Sequence, residues 1–227
     1  MLDWGPILLT LKLSSIATLI LLVIAIPIAY WLAYSKTRIK PIIETLVSMP
    51  LVLPPTVLGF YLLVVFSPNS VIGGFLEQWF GLKLIFSFAG LVFASVIYSL
   101  PFMVQPIQSG LANLPQNLSE ASYVMGASKF KTLRKVLLPN IKSSLITGIV
   151  LTFAHTLGEF GVVLMIGGNI PDKTRVASIA IYDEVESLNY AAANQYSLIL
   201  FSLAFIILLS VNLFNGGYLS RFINDKA

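Results

Sequence analysis

The sequence has 227 residues, of which 57% are hydrophobic and only 11% are charged, and its formal net charge is +4. Soluble domains carry roughly 25% charged residues, so this composition, with a mean hydropathy of +0.88, excludes a soluble globular protein and indicates an integral membrane protein. The absence of cysteine excludes disulfides and thiolate metal ligands, and the single histidine, His155, excludes a multi-histidine site, so neither a metal nor a cofactor is predicted.

Five apolar runs follow one another along the chain, each long enough or nearly long enough for the ~20 helical residues that cross a bilayer. They predict one all-α membrane domain over residues 1–227, with five transmembrane helices and no internal repeat. The first run exceeds a signal-peptide core and lacks a small-residue cleavage pattern, so it is predicted to be a retained helix. The predicted spans are residues 13–34, 46–66, 84–104, 145–166 and 196–214.

The second predicted span carries a cluster of helix breakers, Pro50, Pro54 and Pro55. A proline in a membrane helix frees a backbone carbonyl, which a neighbouring helix or water must then satisfy. The cluster therefore predicts a distorted helix that faces inward, with Pro54 and Pro55 as candidate residues of a translocation pathway. A kink that only serves packing is an equally good interpretation.

Between the third and fourth spans lies a basic segment, residues 115–142, that is too polar to enter lipid. It is predicted to be a helical hairpin, in which Asn117 and Glu120 form a capping box for the first helix and Gly126 ends that helix. Ser128 is predicted to cap the second helix, and Pro139 to stop it. The apolar stripe of the second helix is predicted to be Phe130, Leu133 and Leu137.

The distribution of the 14 basic residues predicts the orientation of the chain. With the N-terminus outside, ten of them lie on the inner side and four on the outer side, which satisfies the positive-inside rule. The hairpin and the C-terminus are therefore predicted to be cytoplasmic, in a multi-pass protein of the cell membrane. These charges suit anionic membrane lipid, so no nucleic-acid partner is needed. The inner set is Lys36, Arg38, Lys40, Lys129, Lys131, Arg134, Lys135, Lys142, Arg221 and Lys226.

An external segment, residues 167–195, is predicted between the last two spans. Its start, GGNIPDKT, is similar to a phosphate-binding loop, but Asp172 stands where such a loop needs glycine, and no strand precedes it. A nucleotide site is rejected, so any energy must come from another subunit. An amphipathic helix is predicted from Val176 to about Asn189, as a surface for a soluble binding protein or as a solvated connector. Its acidic side is predicted to be Asp183, Glu184 and Glu186, and its apolar side Ala177, Ile181 and Leu188.

The fourth predicted span contains the polar residues Thr152, His155, Thr156 and Glu159. An ionisable group at membrane depth costs at least ~2.5 kcal/mol unless it faces protein or water, so these side chains are predicted to point inward. His155 and Glu159 lie one helical turn apart and are placed to hydrogen-bond each other. Thr152, His155 and Glu159 are candidates for the translocation pathway, and a structural bond to a neighbouring helix or to a second protomer is the alternative.

The hairpin resembles the cytoplasmic EAA loop of ABC-importer permeases in the full spacing of its motif. In that family the loop docks a short helix into a groove of an ATPase subunit, so the resemblance implies a coupling surface here. Two positions differ mildly, since the family usually has alanine at Ser122 and isoleucine at Val136. The residues at the motif positions are Glu120, Ala121, Ser122, Gly126, Val136, Leu138 and Pro139.

Further segments resemble the molybdate/tungstate permeases of ABC importers. They are residues 50–57 (PLVLPPTV), 157–163 (LGEFGVV), 169–171 (NIP) and 173–174 (KT). Asp172 departs from the pattern, since glycine is frequent at this position in the family. The resemblance implies a permease without its own ATP site. It also implies a homodimeric core, two ATPase subunits inside, an extracytoplasmic binding protein that delivers molybdate or tungstate, and alternating access. A permease for sulfate or another oxyanion is the nearest alternative. A secondary transporter is disfavoured, because no inverted repeat is visible.

Overall fold

The computed structural model describes residues 2–215. Met1 and residues 216–227, with Arg221, Lys226 and the predicted cytoplasmic C-terminus, lie outside this range. Every regular element within it is helical, which confirms the predicted all-α class, and two short turns are 3₁₀ (Met49–Leu51) and π-helical (Leu133–Leu137). The α-helices are α1 (Gly5–Tyr34), α2 (Lys40–Ser48), α3 (Pro55–Phe66), α4 (Val71–Phe80), α5 (Phe88–Ala112), α6 (Gln116–Val124), α7 (Lys129–Thr132), α8 (Leu138–Asn140), α9 (Lys142–Leu157), α10 (Gly161–Gly167), α11 (Ala177–Glu186) and α12 (Tyr190–Asn215).

Three of these helices, α1, α5 and α12, are long and apolar enough to cross a membrane on their own. Two bent pairs add up to two further crossings: α2 with α3, bent by 109°, and α7–α8 with α9, bent by 81°. The number of crossings reaches the predicted five only if each bent pair is one span. The third predicted span begins too early, because Ser87 caps α5 by accepting from the Gly90 N–H (3.1 Å) and residues 84–87 precede the helix.

The second predicted span, 46–66, is not one continuous helix, in agreement with the distortion predicted from its prolines. The first part ends with the 3₁₀ turn at Leu51, and α3 starts at Pro55. Pro54 lies between them in an extended conformation (φ −54°, ψ 136°), because the proline that follows it disfavours the α region. Neither proline supplies an N–H, so the helical hydrogen bonds stop here.

The fourth predicted span, 145–166, is wrong as a continuous helix. α9 ends at Leu157, and α10 begins at Gly161 after Phe160 has left the helical region (φ −126°). The intervening residues, 158–160, place Glu159 outside both helices. Both breaks fall inside predicted spans, so two sections of irregular backbone lie in the membrane domain, where they need protein or water as hydrogen-bond partners.

The core is formed where α1, α5 and α9 pack against one another. α1 presents small residues to this contact, with Ala17, Ala25 and Ala29 fully buried. Small residues let membrane helices approach closely. On α9, a Cβ added to Gly148 would stand 3.2 Å from the Met103 carbonyl oxygen of α5. The helices that carry the serine and histidine side chains described below are therefore held at nearly backbone contact.

Helix α11, which the sequence predicts to be external, is shorter than the predicted 176–189 and is tied to its loop. Asp183 pairs with Arg175 and accepts from the Asn169 amide, and Glu184 lies 4.0 Å from Arg175. The predicted acidic side of the helix is therefore corrected, because Glu186 is exposed whereas Asp183 and Glu184 are half-buried. The predicted apolar side is corrected as well, because Leu188 is 71% exposed. The chain turns away from the core after Glu186, which removes Leu188 from the buried face.

The loop at residues 167–174 is closed by its own threonine. Thr174 donates to the Gly167 carbonyl (2.8 Å) and accepts from the Ile170 N–H (3.1 Å). Asp172 adopts a positive φ of 61°, a conformation that glycine adopts without strain. The loop is therefore built around an internal hydrogen-bond pair, which supports the rejection of a phosphate-binding loop.

Candidate functional site

The polar segment between α5 and α9 forms the predicted helical hairpin, named here the coupling hairpin (residues 116–140). Ser128 caps α7 by accepting from the Lys131 N–H (3.3 Å), as predicted. The capping box at Asn117 is wrong, because Pro115 occupies the N-cap position and Asn117 lies within the first turn of α6. Pro139 does not stop the second helix, which passes through the π-helical turn and ends at Asn140. Turns of this kind are frequent at functional sites.

Gly126 ends the first helix of the hairpin with a left-handed conformation (φ 79°). Its N–H bonds the Tyr123 carbonyl (2.9 Å), and the Ala127 N–H bonds the Ser122 carbonyl (3.1 Å). These two bonds form a Schellman motif, which satisfies carbonyls at the end of α6. The turn therefore fixes the direction in which α7 leaves.

The two helices of the hairpin are joined by a buried hydroxyl pair. Ser122 and Thr132 lie 2.9 Å apart, and both are at most 2% exposed. Ser122 thus contacts the other helix inside the hairpin, whereas Glu120, Ala121 and Gly126 are exposed on its surface. Of the remaining predicted coupling residues, Val136 and Leu138 pack against the core and Pro139 is exposed.

The tip of the hairpin exposes large apolar side chains on an otherwise polar segment. Val124 is 88% and Met125 is 79% exposed, and Phe130, which the sequence assigned to the apolar stripe, is 71% exposed. Leu137 of the same stripe is buried as predicted. Large apolar side chains exposed on a polar segment are candidates for contact with another protein.

Ser122→Ala is expected to weaken the hairpin by about 1–3 kcal/mol, because it leaves the buried Thr132 hydroxyl without its partner. Hydrogen exchange of the α6 and α7 amides would show the lost protection. The matched control is the double variant Ser122→Ala/Thr132→Val, which removes both hydroxyls and is expected to recover most of the protection. Equal exchange in the single and double variants would contradict a stabilising role for the pair.

The second candidate site is a cavity of about 520 Å³ where the two helix breaks meet, named here the break cavity. Its lining includes Pro55, His155 and Glu159, three of the residues that the sequence offered as pathway candidates. Pro54 is not among its lining residues, and Thr152 is fully buried with its hydroxyl lacking a partner in residues 2–215. The lining residues are Pro55, Thr56, Tyr98, His155, Gly158, Glu159, Phe160, Gly161, Leu164 and Met165.

His155 and Glu159 do not bond each other, in contrast to the prediction. The Ser95 hydroxyl donates to Glu159 Oε2 (2.9 Å), and the Ser99 hydroxyl lies 2.9 Å from His155 Nδ1. The break at Gly158 takes Glu159 off the helix, so that each side chain meets its own serine on α5. The bonds to a neighbouring helix that the sequence offered as an alternative are thus the ones formed.

Sequence reasoning missed the α5 side of this site, Ser95, Ser99 and Tyr98. The available signal was two serines four residues apart, which share one face of an otherwise apolar helix. Glu159 is 5% exposed and its Oε1 atom has no partner within residues 2–215. The cavity therefore combines aromatic walls with a few polar groups, the usual chemistry of a small-ligand site.

Glycines hold the two broken spans together beside the cavity. A Cβ added to Gly161 would stand 2.6 Å from Pro55 Cβ, and one added to Gly59 would stand 2.7 Å from Met165 Cβ. The start of α10 therefore touches the start of α3, so the two breaks lie at the same level of the bundle. Movement of either broken helix changes the shape of the cavity.

Helix α11 also reaches the second break. Ser178 donates to the Glu159 carbonyl (2.5 Å), and the Phe160 and Tyr182 rings lie 5.0 Å apart. Tyr182 in turn donates to Glu186 (2.9 Å), and this hydrogen bond raises the pKa of the tyrosine hydroxyl. A change at the outer surface of α11 is thus connected to the break by direct contacts.

Comparison with known proteins identifies the family. Residues 25–220 match the model of the binding-protein-dependent transport system inner membrane component. The chain is 49% identical to the molybdenum transport system permease protein ModB of Azotobacter vinelandii, over 92% of each chain. It is 33% identical to a probable sulfate transport system permease protein of Chlorella vulgaris, over 91% of this chain and 77% of that one.

A solved structure shows the same fold. The chain is similar to a chain of a bacterial alginate ABC transporter crystallised with a periplasmic protein that holds an alginate pentasaccharide. The TM-score is 0.74 at 19% identity, and the match covers 96% of this chain and 78% of that chain. Together with the apolar helices, the coupling hairpin and the family match, this places the chain in a membrane: it belongs to the family of multi-pass inner membrane components of binding-protein-dependent transport systems.

Proposed function

We propose that the chain is the permease of an ATP-driven importer for molybdate or tungstate, which works with separate ATPase subunits and an extracytoplasmic oxyanion-binding protein. The observation that supports molybdate as the substrate is the 49% identity, over 92% of both chains, to a molybdenum transport permease. The sulfate permease is a more distant relative at 33% identity. Sulfate is therefore the second candidate substrate.

The coupling hairpin is proposed as the surface that the ATPase subunits move. In support, Glu120 is exposed and has no ion-pair or hydrogen-bond partner in the described part of the chain. The exposed Val124, Met125 and Phe130 add an apolar surface beside it. An apolar patch with a free charge at its edge suits a groove in a partner protein.

The break cavity is proposed as part of the pathway that alternating access opens to either side. α3 and α10 touch at Gly161 and Pro55, so a rigid-body shift of one against the other opens or closes the space between them. A second copy of the chain is proposed to complete the pathway, because Phe60, Tyr61 and Val64 of the adjoining α3 expose an apolar face.

The cytoplasmic placement of the hairpin is proposed from the distribution of basic residues. The Tyr34 hydroxyl at the end of α1 bonds the Leu111 carbonyl at the end of α5 (3.1 Å). The basic residues after α1 and those of the hairpin after α5 therefore lie at the same end of the bundle. An accumulation of Lys and Arg at one end is typical of the cytoplasmic side.

The substrate is tested by reconstituting the permease with its ATPase and binding protein in proteoliposomes and measuring ATP-dependent uptake of radiolabelled molybdate. Uptake is expected to be inhibited by equimolar tungstate and to be unaffected by equimolar sulfate. ATP-dependent uptake of sulfate with no uptake of molybdate would assign the chain to the second candidate substrate.

The binding-protein surface is tested with Glu186→Lys. Asp183 is unsuitable for charge reversal, because its ion pair with Arg175 holds α11 to the loop. Glu186 is exposed, so reversing its charge is expected to raise the concentration of binding protein needed for half-maximal uptake a few-fold at low salt, and less at high salt. Tyr182→Phe is the control, because it removes only the hydrogen bond to Glu186. Identical saturation curves for Glu186→Lys and wild type would rule out docking at this face.

A further inference from the structure

A chain of buried hydroxyls ends on His155, the only histidine of the sequence. Thr156 Oγ1 lies 3.0 Å from Ser99 Oγ, which lies 2.9 Å from His155 Nδ1. Ser99 is 0% and Thr156 is 2% exposed, so neither hydroxyl is available to bulk solvent. The hydroxyl hydrogens of Ser99 and Thr156 must therefore find their acceptors among these three side chains.

The directions of these hydrogen bonds follow from counting donors and acceptors. Within residues 2–215 the Thr156 hydroxyl contacts no polar atom other than Ser99 Oγ. A buried hydroxyl hydrogen without an acceptor costs about 1–3 kcal/mol, so Thr156 donates to Ser99. Ser99 then has its own hydrogen left for His155 Nδ1. Because Nδ1 accepts, the neutral imidazole carries its hydrogen on Nε2.

The imidazole is also held in place by aromatic rings. Its centroid lies 4.0 Å from the Phe102 ring in a stacked arrangement and 4.8 Å from the Tyr98 ring. His155 lines the break cavity, and Nε2 has no hydrogen-bond partner in the described residues. The tautomer inferred above thus puts an N–H donor on a ring that lines the cavity and is held by aromatic contacts.

Two more donors line the same cavity without a partner in the described part of the chain, the hydroxyls of Thr56 and Tyr98. The described lining contains neither Lys nor Arg. Glu159, the one acidic lining residue, has a carboxylate oxygen engaged by Ser95. Neutral donors hold an anion without trapping it, and the nearby carboxyl opposes a long stay, as a conduit requires.

We propose that the break cavity is a low-affinity subsite for a tetrahedral oxyanion, in which His155 donates its Nε2–H to a substrate oxygen and Ser99 is the positioning residue that fixes this tautomer. The inference rests on the proposed function, since it assigns the transported oxyanion to a particular place in the pathway. It adds a role for Ser99, which touches the histidine and not the substrate.

The single histidine makes a direct test available. When only the permease carries ¹⁵N-labelled histidine in the permease–ATPase complex, the imidazole signals come from His155 alone, and its two nitrogen resonances report which of them carries the hydrogen. We expect the Nε2–H form in the absence of substrate and a saturable shift of the Nε2 resonance on addition of molybdate. The Nδ1–H form, or no shift at molybdate concentrations that saturate uptake, would overturn the proposal.

Ser99→Ala tests the positioning role in the same experiment. Without its donor, Nδ1 is no longer held as an acceptor, so the spectrum is expected to show both tautomers and a several-fold weaker response to molybdate. Ser197→Ala is the control, because Ser197 bonds only the Ala193 carbonyl one turn earlier in α12. A Ser99→Ala spectrum identical to that of wild type would exclude Ser99 as the positioning residue.

Transport kinetics separate this proposal from the proposed function. His155→Leu is expected to lower the maximal rate of ATP-driven molybdate uptake, measured with saturating binding protein, about tenfold, because the pathway loses a hydrogen bond to the charged substrate. His155→Gln keeps an N–H near the position of Nε2 and is expected to recover most of the loss. A wild-type complex that imports no oxyanion in the presence of its binding protein would refute the proposed function, whereas an unchanged maximal rate in His155→Leu would refute only the subsite.

Discussion

Gly126→Val is expected to reduce ATP-driven uptake by more than tenfold while the permease still inserts into the membrane. Gly126 has φ 79°, which costs an L-residue about 1–2 kcal/mol and a β-branched residue most of all. An added Cβ would meet no atom within 4 Å, so the loss comes from backbone conformation and not from a clash. The Schellman bonds open, and the exposed hairpin tip no longer faces the ATPase correctly. Uptake and copurification of the ATPase measure the effect.

The control for this substitution is Gly81→Val. Gly81 also ends a helix in the left-handed region (φ 64°), also has no atom within 4 Å of an added Cβ, and is followed by a bond from the Leu82 N–H to the Leu76 carbonyl (3.2 Å). Valine at position 81 is therefore strained to the same extent as valine at position 126, but in the connection between α4 and α5. Gly126→Asn is the second control, because asparagine tolerates the left-handed conformation. Equal losses in Gly126→Val and Gly81→Val would show that general instability, and not coupling, is responsible.

Gly161→Ala is expected to lower the thermal stability of the permease by the largest amount among conservative glycine substitutions beside the cavity. The new methyl group would stand 2.6 Å from Pro55 Cβ, and the proline ring at the start of α3 has no alternative rotamer. Overpacking of this kind costs about 1–3 kcal/mol. α10 must move away from α3, which opens the contact between the two breaks. The melting temperature in detergent and the yield of assembled complex measure the effect.

Gly158→Ala is the matched control for stability, three residues earlier in the same break. Its added Cβ would meet only the Ala154 carbonyl oxygen, at 3.9 Å, and its φ of −95° is open to any residue. The substitution is expected to be neutral or to stabilise by about 0.4–1 kcal/mol, because it reduces the entropy of the unfolded chain. A melting temperature for Gly161→Ala equal to that of Gly158→Ala would disprove the close contact between α3 and α10.

The coupling hairpin shows how far local sequence rules reach. The cap at Ser128 and the left-handed turn at Gly126 were predictable, because each depends on a residue and its nearest neighbours along the chain. The cap at Asn117 was wrong because Pro115, two residues earlier, took the N-cap position. The exposure of Phe130 was missed because helical periodicity gives the direction of a side chain and not the distance to the next element.

The break cavity shows where these rules end. The prolines at 54 and 55 predicted a distortion, yet the bend of 109° depends on how α2 and α3 pack on the rest of the bundle. His155 and Glu159 were expected to bond each other, but their partners, Ser99 and Ser95, lie 56 and 64 residues away in the chain. The residues next to His155 in the sequence do not predict these partners.

The sequence by itself determined the membrane class, the helical hairpin and the family, because hydrophobicity, charge and motif spacing are properties of the chain. The tertiary structure decided that two predicted spans are broken, that the breaks meet at Gly161 and Pro55, and that the serines of α5 hold His155 and Glu159. The physical reason is that a buried polar side chain takes whichever partner the packing brings within about 3 Å, and packing joins residues that are far apart in sequence.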